Sequence, residues 1–355
     1  MSLLVSVLAA SLLALACLVF LWSPGRPSPV LDAQGRSVPN SISEKVFVEI
    51  NGVRQGMFIT GKDVRNPVML YLHGGMPDFF LAQTYPTGFE DIFTVVWWEQ
   101  RGAGISNGDD VRPETINLEQ LIQDTRAVTD YARRRFRREK IYLMGHSGGS
   151  FLGMIAVSRW PELYTAYFGV AQMAFQRESE KLAYDYMLEL CREQGNASLA
   201  RRLASVPVTD EGEIRRAYER IRDEAMHALG VGTMHSMRSV VRGIIIPSWK
   251  FRGYTVGEKV RLWRGKFRTG ISAVWDSMMK VDLPSAVPEL RIPVYFFHGV
   301  HDYTCAFPLA ERYFASIRAP QKEFFRFEES AHCPMFEEPA KMCSILRRIV
   351  AREDH

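Results

Sequence analysis

The chain has 355 residues, enough for one large domain or two ordinary ones, and its apolar and charged fractions are those of a globular protein with a sizeable core. A formal net charge of +4 is small for this length, and the only dense basic stretch, Arg133-Arg134-Arg135 with Arg137-Arg138-Glu139-Lys140, reads as a solvated helix end; nucleic-acid binding is therefore not indicated. The five cysteines are odd in number and widely spaced, with no CxxC pair, which excludes a disulfide framework and a zinc site of the usual spacing and leaves them as free thiols.

Leu3 to Trp22 is an uncharged run of about twenty residues, the length of one membrane-spanning helix. It lacks a basic n-region, so an uncleaved anchor over residues 1–22 is expected ahead of a removed signal peptide, with the membrane as partner. Arg26 and Arg36 follow the span and no cation precedes it, which leans toward a cytoplasmic catalytic part. Residues 23–42 are rich in Pro, Gly and Ser and read as a linker.

Short strand-like runs follow at Lys45–Ile50, Gln55–Thr60, Val68–His73 and Phe93–Glu99. Two of them, Val68–Leu72 and Val95–Trp98, are continuously apolar, as strands covered on both faces of a parallel sheet must be. Leu118, Leu121, Ile122, Val128, Tyr131 and Ala132 form a helical stripe, and Ile141–Met144 is another apolar strand that runs directly into Gly-His-Ser-Gly-Gly-Ser and a second helix. After Tyr164–Val170 the strand-helix rhythm stops. The stripes Leu182, Tyr186, Leu190 and Ile214, Tyr218, Ile221, Ala225 then predict helices, until strands return at Val294–Phe297 and Glu323–Phe327, with helices near Leu309–Ile317 and Pro339–Val350. The expected architecture is a doubly wound, mostly parallel α/β sheet formed by residues 43–173 and 290–355, interrupted by a helical cap at 174–289. The site should lie at the carboxyl ends of the strands.

Gly145-His146-Ser147-Gly148-Gly149 fits G-x-S-x-G in the strand-turn-helix context that lifts a serine hydroxyl out of the backbone, so Ser147 is the expected nucleophile. A serine hydroxyl needs a base to take its proton, and His332 lies in the loop after the last expected strand. Asp302, after the strand Val294–Phe297, is the expected orienting carboxylate, ahead of Asp276 and Asp282, which no buried strand precedes. The remaining histidines His73, His146 and His298 sit in turns and read as structural, as do His227 and His235 in the cap. An oxyanion needs two backbone N–H donors, for which Gly75, in the His73-Gly74-Gly75-Met76-Pro77 turn, and Gly148 are the candidates.

These segments together resemble the α/β-hydrolase superfamily and, in detail, its prolyl aminopeptidase (proline iminopeptidase) branch. The likeness rests on His73 to Pro77, on Glu99-Gln-Arg-Gly-Ala-Gly-Ile-Ser106 and on Ser330-Ala-His-Cys-Pro-Met-Phe-Glu-Glu-Pro339, and covers roughly residues 45–172 and 290–350. The resemblance implies a serine triad, no cofactor, and a helical cap that selects a small-molecule or short peptide substrate. Members of that branch usually carry Trp after the nucleophile and Pro-Gly after His-Gly-Gly, whereas this chain has Gly148 and Met76-Pro77-Asp78. An aminopeptidase would need cap carboxylates for the substrate ammonium, and Glu178, Glu180 and Asp185 are available. An esterase or lipase would use the same triad with a Met-rich, aromatic cap. A non-catalytic binding protein on this fold would show a damaged triad, which the sequence does not.

Overall fold

A computed structural model of the chain describes residues 2–209, 214, 216–266 and 270–353, with the side chains at 2–4, 12, 15, 16, 271 and 272 outside the description. Residues 210–213, 215 and 267–269 of the expected cap, and 354 and 355 at the end of the expected core, thus lie outside the described residues.

Eight strands form one sheet: β1 (Ile42–Ile50), β2 (Val53–Gly61), β3 (Val68–Leu72), β4 (Thr94–Trp98), β5 (Ile141–His146), β6 (Tyr164–Val170), β7 (Val294–Gly299) and β8 (Lys322–Phe327), in the order β1-β2-β4-β3-β5-β6-β7-β8. β1 pairs antiparallel with β2, and β2 with β4; every other pairing is parallel. The apolar runs of β3, β4 and β5 are buried throughout because each feeds two cores. Leu70, Leu72, Val96, Trp98 and Leu143 point to one face, and Met69, Tyr71, Val95, Trp97, Tyr142 and Met144 to the other.

On the first face lie α2 (Leu118–Phe136), through Leu121, Ile122, Val128 and Ala132, and α3 (Gly148–Arg159), through Phe151, Leu152 and Met154. Asn117 starts α2 by accepting the Gln120 N–H at 2.9 Å, and Arg133, Arg134 and Arg135 occupy its last turn, where cations suit the helix dipole. The C-terminal helix (Pro339–Glu353) closes the opposite face with Met342, Ile345, Leu346 and Ile349.

Between β6 and β7 the chain is helical: α4 (Gln176–Glu193), α5 (Ala197–Ala204), α6 (Arg216–Leu229), α7 (Ile246–Lys250), α8 (Val256–Lys266), α9 (Ile271–Met279) and α10 (Leu283–Ala286). Its own small core turns α4 inward along Ala183, Met187 and Cys191, with Tyr186 and Leu190 on the flank. The expected stripe was therefore offset by one residue: spacing alone does not say which side of a broad apolar face meets the neighbour.

One expectation at the amino terminus is corrected. The first segment is a helix, α1 (Ser2–Leu21), but among the described residues no helix is long and apolar enough to cross a membrane. The anchor over residues 1–22 and its orientation by Arg26 and Arg36 are therefore not supported. The 23–42 segment meets the helical region at its start. Lys259 Nζ donates to the Trp22 carbonyl and to Ser23 Oγ, both at 2.9 Å, and Arg26 N–H donates to the Arg252 carbonyl at 3.2 Å.

Candidate active site

β5 ends at His146, and Ser147 takes φ 55° and ψ −125° before α3 begins at Gly148. A non-glycine residue holds this conformation only where its surroundings over-determine it. Here the Ser147 N–H donates to the Val170 carbonyl at 3.0 Å, and the Ser150 N–H returns to the Ser147 carbonyl at 2.8 Å. The turn after β3 comes so close that a Cβ on Gly74 would stand 2.7 Å from Ser147 Cβ, so only glycine fits there.

That turn is held from below. His73 Nε2 accepts the Gln100 N–H at 3.1 Å, His73 Nδ1 lies 2.8 Å from the Gly74 carbonyl, and the Gln100 side chain donates to the His73 carbonyl at 2.9 Å. Burial pushes the His73 imidazole down to about 4, which keeps it neutral and suits that acceptor role. The Glu99–Ser106 segment is thus a scaffold: Gln100 fixes the glycine turn, and Arg101 makes a buried pair with Asp124 at 2.7 Å. Glu99 accepts the Ile105 N–H at 2.6 Å and the Tyr254 hydroxyl.

Asp302 follows β7 and is fully buried. Its Oδ1 accepts the backbone N–H groups of Thr304 and Cys305 at 2.8 and 3.0 Å, and its Oδ2 accepts from His332 Nδ1 at 2.9 Å, with His298 Nε2 3.2 Å away. Burial alone would raise this carboxyl; the His332 ring and the hydrogen bonds from His298 and His332 outweigh it and hold Asp302 well below the usual carboxylate range. The two loops touch, since a Cβ on Gly299 would stand 2.1 Å from the Ala331 carbonyl oxygen. His332 is lowered from its ordinary value, burial outweighing the attraction of Asp302, and so remains neutral near pH 7.

Ser147, His332, Gly75 and Gly148 line one cavity of about 320 Å³. Asp302 stands behind His332. Among the described residues Ser147 Oγ makes no hydrogen bond to His332; its hydroxyl faces the Cys305 thiol, itself pushed well up by burial. Gly148 N–H opens α3, where first-turn donors have no intrahelical partner, and a Cβ on Gly75 would meet open space. Cys333 also lines the cavity, but burial raises its thiol far above the range of a thiolate nucleophile.

The helical region supplies Arg222, Asp223, Thr233, Ile244, Lys266 and Trp275 to the same cavity. None of the three expected cap carboxylates lines it. Glu178 pairs with Arg312 at 2.5 Å, Asp185 with Lys181, and Glu180 with Arg222 at 2.6 and 2.8 Å, so each is already matched by a cation. Sequence reasoning missed Arg222, Asp223 and Asp78, and it read His146 only as a turn residue. The departure at Asp78 from the pattern of the resemblance was the one signal available for it.

A family model described as "Serine aminopeptidase, S33" matches residues 89–242. The chain is 28% identical over 312 residues to the probable aminopeptidase YbaC of Bacillus subtilis (strain 168), covering 87% of this chain and 96% of that protein. Among solved structures it is similar to a proline iminopeptidase-related protein from Thermus thermophilus, with TM-score 0.59 and 17% identity. It is also similar to the proline iminopeptidase of Mycobacterium smegmatis, with TM-score 0.63 and 16% identity. Each likeness covers 87% of this chain and 98% of the other. At such identities the structures speak for the fold, and the sequence matches speak for the branch. The chain is a hydrolase with the α/β-hydrolase fold, and it resembles the prolyl aminopeptidase branch.

Proposed function

We propose that the protein is a serine hydrolase that works through an acyl-enzyme, cleaving small peptides or amides from their amino end. The observation that carries the reading is the buried Asp302–His332 pair opening into the cavity that Ser147, Gly75 and Gly148 line. In the proposed reaction Ser147 turns about χ1 from Cys305 toward His332, whose Nε2 takes the hydroxyl proton as Oγ attacks the acyl carbon. The oxyanion receives the N–H groups of Gly75 and Gly148. His332 then passes its proton to the leaving amine, and water repeats the cycle to release the acid. Asp302 keeps the His332 proton on Nδ1 and stabilises the imidazolium. The helical segment 174–289 acts as a cap that selects substrate, through the side chains it contributes to the cavity.

A carboxylesterase is the second reading. It is favoured by the apolar wall of Met76, Phe80, Leu81, Ile244 and Trp275, which suits an acyl chain. Parallel turnover of aminoacyl-arylamides and of acyl esters of graded length, with Ser147→Ala as control, separates the two. Arylamide cleavage that needs a free amine supports the aminopeptidase; ester cleavage alone supports the esterase.

A further inference from the structure

The net charge of the chain is small, but it is unevenly spread. Residues 238–266 hold eight Lys and Arg against one carboxylate, Glu258, a balance of +7 where the whole chain carries +4. Glu258 is 7% exposed and is matched by Lys45 at 3.0 Å. Arg242, Lys250, Arg252 and Arg264 are exposed, and among the described residues no ion pair engages them. Too widely spaced to form a run in the sequence, these cations are gathered by the fold. Val241–Ile245 is a π-helical turn that leads into α7. Gly243, Ile244, Pro247 and Ser248 turn inward, which leaves Val241, Arg242, Ile245, Ile246, Trp249 and Lys250 along the outer side. α8 lies alongside, its Trp263 indole N–H donating to Ser248 Oγ at 3.1 Å. Between the two helices Ile245, Trp249, Val260, Trp263 and Arg264 line an open groove of about 390 Å³. Val241, Ile246 and Val260 are 54%, 41% and 38% exposed. The end of α1 sits at the edge of this face, where Lys250 Nζ lies 5.7 Å over the Trp22 ring and Phe20 is 77% exposed.

We propose that the 241–264 face docks on an anionic lipid surface, with Arg242, Lys250 and Arg264 at the lipid phosphates and Val241, Ile246 and Val260 among the upper acyl groups. Charge complementarity selects this occupant. A second copy of the chain would set cation against cation, and a nucleic acid would match the cations but leave the aliphatic side chains in water. An anionic bilayer answers all three features of the face at once: phosphate for the cations, hydrocarbon for the aliphatics, and the boundary between them for the half-buried Trp249 and Trp263. The contact is with a surface and requires no helix to cross it. Ile244, one residue from the groove, lines the catalytic cavity instead, so docking sets that cavity close to the lipid. The inference is independent of which bond the enzyme cleaves.

The test is sedimentation of the full chain with vesicles of phosphatidylcholine alone and of phosphatidylcholine mixed with phosphatidylglycerol. The chain is expected to prefer the mixed vesicles and to be released from them as salt rises. Arg242→Glu, Lys250→Glu and Arg264→Glu are each expected to lower the partition coefficient about fivefold or more, and together about a hundredfold, at an unchanged melting temperature. Equal binding to both vesicles, insensitive to salt, is what α1 alone would give, and it overturns the proposal. Failure to bind either vesicle also overturns it and leaves an acidic protein as the occupant. Binding to the mixed vesicles that survives all three reversals moves the contact elsewhere on the molecule. Arg134→Glu, in the other basic stretch, is expected to leave binding unchanged; a loss equal to that of the single reversals would reduce the effect to net charge and overturn the placement. If the triple variant does not fold, the single reversals decide, and no loss in any of them overturns the proposal.

Discussion

The sheet side and the helical side of the cavity are built by different means. Ser147, Asp302 and His332 lie on short turns after β5, β7 and β8, and Ser147 and Asp302 are fixed largely by backbone hydrogen bonds over fully buried strands. Arg222 and Asp223 come from α6, which packs mainly on α4 and α5, and Arg222 is held there by a side-chain ion pair with Glu180. The sheet side suits chemistry, which tolerates only small displacements. The helical side can exchange residues without disturbing the reacting groups, so it is where substrate choice can vary.

The largest way to break this comparison is at the sheet. Ser147→Ala should reduce turnover by about five orders of magnitude or more while the melting temperature stays close to that of the unmutated chain. A residual rate within tenfold would place the nucleophile elsewhere. Asp302→Asn should cost roughly ten thousand-fold in kcat, because the amide favours the wrong tautomer of His332. A normal rate in that variant would show that another carboxylate orients the base.

The helical side should respond in stability before rate. Arg222→Ala strands Glu180, 3% exposed, without its cation, and should lower unfolding stability by about 3 kcal/mol in denaturant titration. Its loss of kcat should remain far smaller than that of Asp302→Asn. A rate loss as large as the Asp302 effect would mean that the helices take part in chemistry, and the contrast would fail.

Two pH measurements sharpen the comparison further. In the proposed mechanism the active form of His332 is the neutral ring, and burial lowers it from its ordinary value of 6.5, so the acid limb of kcat/KM should have its midpoint below 6.5. A midpoint above that value contradicts the assigned base. The smallest effect concerns Glu99, which burial pushes up to about 8 from 4.5. Between these values the folded state keeps a proton that the unfolded chain has lost, so Glu99 makes stability fall as pH rises through that window. Glu99→Gln should flatten the fall in melting temperature between about pH 5 and pH 8; an unchanged slope removes Glu99 as its source.

The contrast also governs what the amino-acid sequence revealed. β3, β4 and β5 were legible because strands covered on both faces must be apolar throughout, and so was the placement of Ser147, Asp302 and His332 after strands. The pairing of Asp78 with His146, 68 residues further along the chain, was not legible. Glu180 offered itself as an ammonium ligand only until the fold brought Arg222, 42 residues away, against it. The uncharged amino-terminal run shows the limit of composition, which predicted a helix there correctly but did not establish a span.

The most direct test of the central claim is intact-mass and peptide mass spectrometry of the full chain after brief reaction with a fluorophosphonate, which traps an activated serine. The account predicts one adduct per chain, on the peptide that contains Ser147, lost in Ser147→Ala and strongly slowed in Asp302→Asn. An adduct on another residue, or none in enzyme that still turns over its substrate, would contradict it.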